Sequence, residues 1–282
     1  MTVRDTRYTD DYTSDFQWGR REEDKDVWEA AVERCAITME QHDDCYVAFS
    51  GGKDSLVVLD LVRQVAPETP VAFFDSGLEF PETYAYLEQL TKMWSLNLDV
   101  VPARMTTLEV LAGNGGWDHK APDRPAPNLH QVLIVEPAAA AHRAHGPGEL
   151  WGVRAEESRG RAAAYANALR AVTCPCPDTC TGQQRRARHG GLISRVDGTV
   201  AYGPVWDWHT DEIWGHISRH RLPVNPVYDK LRRLGAPEHF LRVSGMIDGT
   251  RLEEGRITWL RRGWPALFEE LAAVLPRIRE FV

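Results

Sequence analysis

Residues 45–62 constrain this 282-residue chain more than any other stretch. They run Cys45-Tyr46-Val47-Ala48-Phe49, then Ser50-Gly51-Gly52-Lys53-Asp54-Ser55, then Leu56-Val57-Val58-Leu59-Asp60-Leu61-Val62. The first run is short, apolar and β-rich, as a buried strand is. The last is apolar nearly all round, as a helix packed on a sheet is. Adjacent glycines between them let the backbone turn sharply. A strand that feeds a covered helix in this way belongs to an α/β fold.

The rest of the chain repeats the alternation. Strands are expected at Pro70–Asp75, Leu96–Val101, Glu149–Val153 and Val200–Val205, with helices at 25–42, Glu82–Trp94, His130–Ala144 and Thr210–His220. Pro137 should start or kink its helix, and Thr210 is read as a helix N-cap. The Gly-, Pro- and Asp-rich stretch from Gly113 to Pro127 reads as a loop, and Trp264–Val282 as an amphipathic helix interrupted at Pro276. The expected architecture is a Rossmann-like parallel sheet of about five strands with helices on both faces. Its boundaries are a polar lead-in over 1–24, an α/β domain over 25–230 and a helical C-terminal extension over 231–282.

A net charge of -8 offers no global basic field for nucleic acid or membrane. No apolar run is long enough to cross a bilayer, and the N-terminal residues lack the apolar stretch of a secretory signal. The expected compartment is the cytoplasm.

The turn itself has the chemistry of an anion site. Gly51 and Gly52 bring backbone N–H groups close to a ligand, and the following helix adds unpaired N–H groups and its positive dipole end. Ser50 and Ser55 can donate hydroxyl hydrogen bonds, and Lys53 can offset phosphate charge. Asp54 does not favour a bare phosphate, so its expected task is to hold Mg2+ or to orient the loop. The spacing matches neither a Walker A loop nor the dinucleotide fingerprint.

Ser50–Ser55 resembles the SGGxDS loop of the N-type ATP pyrophosphatases. From Cys45 to Asp229 the chain resembles the phosphoadenosine-phosphosulfate reductase-like family within them. The resemblance implies an adenine nucleotide alpha hydrolase-like fold and ATP as ligand. Asp75-Ser76-Gly77-Leu78-Glu79-Phe80-Pro81-Glu82-Thr83 looks like the family's segment after the second strand, where Asp75 and Glu79 would face adenine, ribose or metal. The bland alternative is a helix cap with a hydrophobic staple. Gly152-Val153-Arg154-Ala155-Glu156-Glu157-Ser158-Arg159-Gly160-Arg161 resembles the family's Gly-x-Arg-x-x-x-Ser stretch, which implies that Arg154 and Arg161 grip phosphate or sulfate oxygens. Otherwise these arginines are surface partners of Glu156 and Glu157. Pro204–Trp208 and Leu222–Asp229 also look familial, with the tryptophans read as core rather than as stacking platforms.

Cys174, Cys176 and Cys180 crowd into one short stretch. Thiolates so close can share a metal, with His189, Asp178, an external sulfur or nothing as fourth ligand. An iron–sulfur cluster, zinc, free thiols and a local disulfide all stay open. Gln183–His189 is a small basic patch, either an anion contact or a solvated helix face. Cys35 and Cys45 sit in apolar runs and read as buried structural residues.

Reductases of the family carry a catalytic cysteine in a Glu-Cys-Gly-Leu-His tail, whereas this sequence holds no cysteine after Cys180. With Lys53 and Asp54 both present, the expectation is an ATP pyrophosphatase. It would adenylate an acceptor and release pyrophosphate for sulfur transfer, as in DNA phosphorothioation or thio-metabolite synthesis. Lys53, Asp54, Arg154 and Arg161 are the candidate catalytic residues. Ser50, Gly51, Gly52, Ser55, Asp75, Ser76, Gly77, Glu79 and Gly152 complete the nucleotide site. Expected partners are an anionic or nucleic-acid-like acceptor, a sulfur donor such as a cysteine desulfurase, and further copies of the chain in a homo-oligomer. The alternatives are nucleotidyl transfer of the FAD synthetase or sulfate adenylyltransferase type, sulfonucleotide reduction, and a nucleotide-binding regulatory subunit without turnover.

Overall fold

The structure is a computed structural model that describes residues 23–41, 44–113, 129–171, 186, 189–243 and 256–282. Its strands are β1 (Cys45–Ala48), β2 (Val71–Asp75), β3 (Leu98–Pro102), β4 (Gly148–Trp151), β5 (Leu192–Ser194) and β6 (Val200–Tyr202). They form one six-stranded sheet in the order β3-β2-β1-β4-β6-β5. Cys45 pairs with Gly148 and Ala48 with Trp151 along parallel β1 and β4, while β6 runs parallel to β4. Helices surround this mixed, mostly parallel sheet, as the alternating apolar runs require.

One strand was not anticipated. β5 is three residues long, below what an alternation pattern can register, and it joins β6 antiparallel through a tight hairpin. Gly198 supplies the positive φ of 86° at the turn, and the Asp197 side chain accepts a hydrogen bond from the Thr199 N–H at 3.0 Å.

The helices are α1 (Glu23–Gln41), α2 (Lys53–Val65), α3 (Pro81–Trp94), α4 (Thr107–Gly113), α5 (Glu136–His145), α6 (Arg159–Ala171), α7 (Thr210–His220), α8 (Val227–Arg233), α9 (Arg256–Gly263) and α10 (Pro265–Val274). A π-helical turn, Gln131–Val135, leads into α5. Pro137 lies just beyond it, where its missing N–H and its ring disturb the hydrogen-bond ladder of the preceding turn. Pro276 opens a final 3-10 segment, Pro276–Phe281. Among the described residues no helix is long and apolar enough to cross a membrane.

The chain divides into two compact units. One comprises residues through Phe49, Lys53–Val71 and His142–Val224. Its central helix is α2, in which every residue from Ser55 to Val62 is buried. Each fully buried leucine or valine there stabilises the fold by about 1.5–3 kcal/mol. Trp206, Trp208 and Trp214 are buried with them, as core residues. Cys35 and Cys45 are free and buried. Burial pushes their thiols up to about 12 and about 11, so neither serves as a nucleophile near neutral pH.

The other unit comprises Ser50–Gly52, Ala72–Ala141 and Asn225–Val282. Glu82, in the first turn of α3, ties it together. One carboxylate oxygen accepts from Lys230 on α8 at 2.6 Å, and the other from the Trp264 indole N–H at 2.7 Å. Phe80, which precedes Pro81 at the start of α3, packs on the Trp264 ring with centroids 4.1 Å apart.

Candidate functional site

In the first unit, the N-terminus of α2 carries a cluster of charges around Asp54. Arg154 Nε donates to Asp54 Oδ1 at 2.7 Å, and Lys53 Nζ donates to Asp54 Oδ2 at 2.7 Å. The three together leave one net positive charge. Arg154 is 2% exposed, and both of its terminal nitrogens are also hydrogen-bonded. Nη1 reaches the Trp208 carbonyl at 3.0 Å and Nη2 the Thr210 hydroxyl at 3.2 Å. A charged side chain so deeply buried persists only when paired and hydrogen-bonded in this way.

The backbone beneath the arginine is fixed in turn. Tyr165 on α6 donates to the Val153 carbonyl at 2.7 Å and accepts from the Trp151 indole N–H at 3.0 Å. Gly152 lies directly against the first turn of α2: a Cβ there would stand 2.5 Å from the Ser55 nitrogen and 2.6 Å from the Asp54 carbonyl carbon. Beyond Arg154, Glu156 accepts from the Thr210 hydroxyl at 2.8 Å, the Thr210 N–H at 3.1 Å and His209 Nδ1 at 2.8 Å. Partial burial raises its carboxyl, but these bonds from Thr210 and His209, with Arg154 nearby, outweigh that and hold it below the usual range.

In the second unit, Gly51 has φ of 72°, a conformation that glycine adopts without strain. Its carbonyl accepts from the amide of Asn225 at 3.3 Å, and the same nitrogen donates to Thr83 Oγ1 at 3.1 Å. Asn225 Oδ1 accepts from the Val227 N–H at 3.1 Å, so this buried amide anchors the loop to the starts of α3 and α8.

The carboxyl end of β2 forms a second cluster in that unit. Asp75 Oδ1 accepts from the Gly77 N–H at 2.9 Å and the Tyr84 hydroxyl at 2.8 Å. Ser76 donates to Glu79 at 2.6 Å. Gly77, with φ of 68°, leaves no room for a side chain, because a Cβ would meet Thr106 Cγ2 at 2.4 Å.

A model of the phosphoadenosine phosphosulfate reductase domain matches residues 44–240, most of the chain. The protein belongs to that family. It is 28% identical over 183 residues to the phosphoadenosine 5'-phosphosulfate reductase of Thiocapsa roseopersicina, covering 64% of this chain and 65% of that one. It is 26% identical over 219 residues to the reductase of Alkalilimnicola ehrlichii, covering 77% of each. Among solved structures, it is similar to the phosphoadenylyl-sulfate reductase of Candida auris, with a TM-score of 0.49 and 16% identity over 77% of this chain and 93% of that one.

In this phosphoadenosine phosphosulfate reductase-domain protein, Lys53, Asp54, Ser55, Gly152 and Arg154 come together in one unit. Ser50, Gly51 and Gly52, and separately Asp75, Ser76, Gly77 and Glu79, lie in the other. The Arg161 guanidinium bonds the Glu157 carboxylate, four residues back in the 3-10 turn Ala155–Glu157 that precedes α6. Thr210 is the first residue of α7 rather than its cap. His209 occupies the cap, while the Thr210 hydroxyl is drawn to Glu156. Of the basic patch, Arg186 stacks over the Trp206 ring at 4.5 Å and faces Asp207 at 3.6 Å. Cys174, Cys176 and Cys180 lie outside the described residues.

Sequence reasoning missed Asn225, Tyr165, Thr210 and Tyr84 as partners of the site. None gave a signal, since a tyrosine or threonine on a helix reads as packing or capping, and the Asn225 amide meets Gly51 and Thr83 far away along the chain.

Glu79 gives a testable pH signature. Burial pushes its carboxyl up to about 7, against a hydrogen bond from Ser76 and with the Asp75 charge adding to the rise. The native pKa lies above the unfolded one, so the native state binds the extra proton between about pH 4.5 and 7. The group's contribution to stability is therefore full below that window and is lost as pH rises through it, by up to roughly 3 kcal/mol. Urea midpoints at about pH 5 and about pH 8 should show this fall in the parent and a flatter profile in Glu79→Gln.

Proposed function

We propose that this protein is an ATP pyrophosphatase, which transfers AMP from Mg2+-ATP to an oxygen of an acceptor and releases pyrophosphate, to be followed by displacement with sulfur. The observation that carries the reading is Asp54: a carboxylate on the anion-binding end of α2, gripped on one oxygen by Lys53 and on the other by Arg154. A sulfonucleotide brings only negative charge to such a loop, and a carboxylate repels it. A nucleotide triphosphate that arrives with a cation makes the same carboxylate useful.

Asp54 fits a Mg2+ ligand. Each of its oxygens accepts one hydrogen bond, leaving lone pairs for a further partner, and its side chain is 18% exposed, within reach of a hydrated ion. When bound, Mg2+ would screen the phosphate oxygens. The chain's own groups do the rest in this reading. Ser50, Gly51, Gly52, Lys53 and Ser55 hold the departing pyrophosphate by backbone, hydroxyl and ammonium donors. Arg154 keeps Asp54 and Lys53 in place. By the sequence resemblance, Asp75, Ser76, Gly77 and Glu79 are the residues assigned to the nucleoside. The acceptor oxygen attacks the α-phosphorus as the α–β phosphoanhydride bond breaks, so the protein need only align the two and stabilise the leaving charge. Sulfur as the later nucleophile rests on the sequence alone, on the crowding of Cys174, Cys176 and Cys180.

The named reductases among the relatives favour a second reading, sulfonucleotide reduction. Equilibrium binding to the parent and to Asp54→Asn separates the two. Adenylation predicts that the substitution weakens Mg2+-ATP by about tenfold or more, the equivalent of one charge-assisted contact. It also predicts that a metal-free sulfonucleotide binds the variant no less tightly than the parent, because a repelling charge has gone. Tight sulfonucleotide binding by the parent, with Mg2+-ATP binding indifferent to Asp54, overturns adenylation.

A further inference from the structure

Behind the phosphate loop, α2 and α7 are joined twice. At their N-termini Arg154 links Asp54 to Thr210. Six residues further along each helix, about 9 Å by helical rise, His216 Nε2 meets Asp60 Oδ2 at 2.9 Å. His216 is 1% exposed and Asp60 is 9% exposed. His220 follows one turn after His216, and the two imidazoles stack with centroids 4.2 Å apart and planes 21° apart. One ligand atom from each of Asp60, His216 and His220 lies within 4.8 Å of the others.

A buried Asp–His pair is complete in itself and gives no reason for a second imidazole to lie face to face on the first. Two stacked imidazoles with nitrogens turned to one carboxylate are mutually repulsive when protonated. A cation that displaced the proton His216 Nε2 shares with Asp60 would find two imidazole nitrogens and a carboxylate oxygen within 4.8 Å of one another, the imidazoles one turn apart on a helix. That is the donor set of an open three-ligand site, two imidazoles and a carboxylate. The supporting contacts are also present. Gln64 donates to Asp60 Oδ2 at 3.2 Å and fixes the carboxylate, and the Trp28 ring stacks on His220 at 6.1 Å. His220 itself is exposed, which leaves a path for an ion and a fourth position for water.

We propose that Asp60, His216 and His220 bind a divalent cation of the zinc class, which clamps α2 to α7. Two imidazoles and one carboxylate reduce the dication to a net single positive charge. Arg63 beside Asp60 and Arg219 beside His220 oppose the ion, so the site relies on its ligand bonds rather than on the local field. The clamp lies along the helix that carries Lys53 and Asp54 but needs no nucleotide, so it stands or falls independently of the adenylation reading.

The test uses the full chain, stripped with chelator, with Cys174→Ser, Cys176→Ser and Cys180→Ser introduced to remove competing thiolates. Zn2+ is titrated against a chromophoric chelator in this parent and in the parent with His220→Ala. One equivalent should bind the parent. Loss of a partner that merely orients a ligand costs about 10- to 100-fold in affinity, so loss of a ligand should cost about a hundredfold or more. Zn2+ should also raise the parent's melting temperature and leave that of His220→Ala unmoved, a readout that shows both chains folded. Absence of a stoichiometric equivalent in the parent, or equal affinity and equal thermal shift in His220→Ala, overturns the proposal.

Discussion

Arg154→Ala is expected to abolish turnover and to lower stability by about 3 kcal/mol. The arginine is buried, and four of its contacts vanish together: Asp54, the Trp208 carbonyl, the Thr210 hydroxyl and the longer approach to Glu156 at 3.5 Å. The stability loss comes from what stays behind. The Trp208 carbonyl loses a charged donor, and Asp54 keeps only Lys53. The loss of activity has a separate cause. Without Arg154 the cluster's net charge falls from positive to neutral, and only the flexible Lys53 side chain still holds the Asp54 carboxylate. Arg154→Lys should recover part of the stability but little activity, since an ammonium supplies no planar fork to span Asp54, Trp208 and Thr210 at once. Urea denaturation and nucleotide turnover measured on the same preparations check both halves. Activity near the parent's in Arg154→Ala would show that the cluster is structural.

Gly152→Ala should be nearly as damaging to activity while adding only one methyl group. Its Cβ would fall within 2.6 Å of backbone atoms of both Asp54 and Ser55, and neither can swing aside as a side-chain tip would. The first turn of α2 has to shift away from β4, carrying with it the N–H groups and the Lys53 ammonium that a phosphate would meet. Overpacking of this kind costs about 1–3 kcal/mol. The expected result is a folded protein, slightly less stable, whose nucleotide affinity falls by more than the stability loss explains. Gly160→Ala is the control: among the described residues the only neighbour within 4 Å of a Cβ there is the Ser158 hydroxyl at 3.9 Å, and its affinity should match the parent's.

Much of this was legible in the sequence for identifiable reasons. The strand, glycine turn and buried helix at residues 45–62 are local events, governed by burial and by glycine's access to positive φ, and the structure places them with small shifts of boundary. β5 escaped because three residues carry no period, although Asp197-Gly198 marked a hairpin turn beside it. The roles around Arg154 were partly hidden. Arg154 and Arg161 share one motif and one charge, yet the first is buried at the end of β4 while the second lies on an exposed helical face beside Glu157. Spacing along the chain does not encode that difference; the packing of Tyr165 and Trp208 against the backbone does. Asn225 and His216 were silent for the same reason. Each meets a partner more than a hundred residues away, and no local pattern announces such a pairing.

The most direct test of the central claim is to identify the nucleotide formed when the anaerobically purified protein is incubated with Mg2+-ATP, beside Asp54→Ala. The adenylation account predicts AMP and pyrophosphate in equal amounts, both lost in Asp54→Ala. ATP recovered intact, or split to ADP and phosphate, would contradict it.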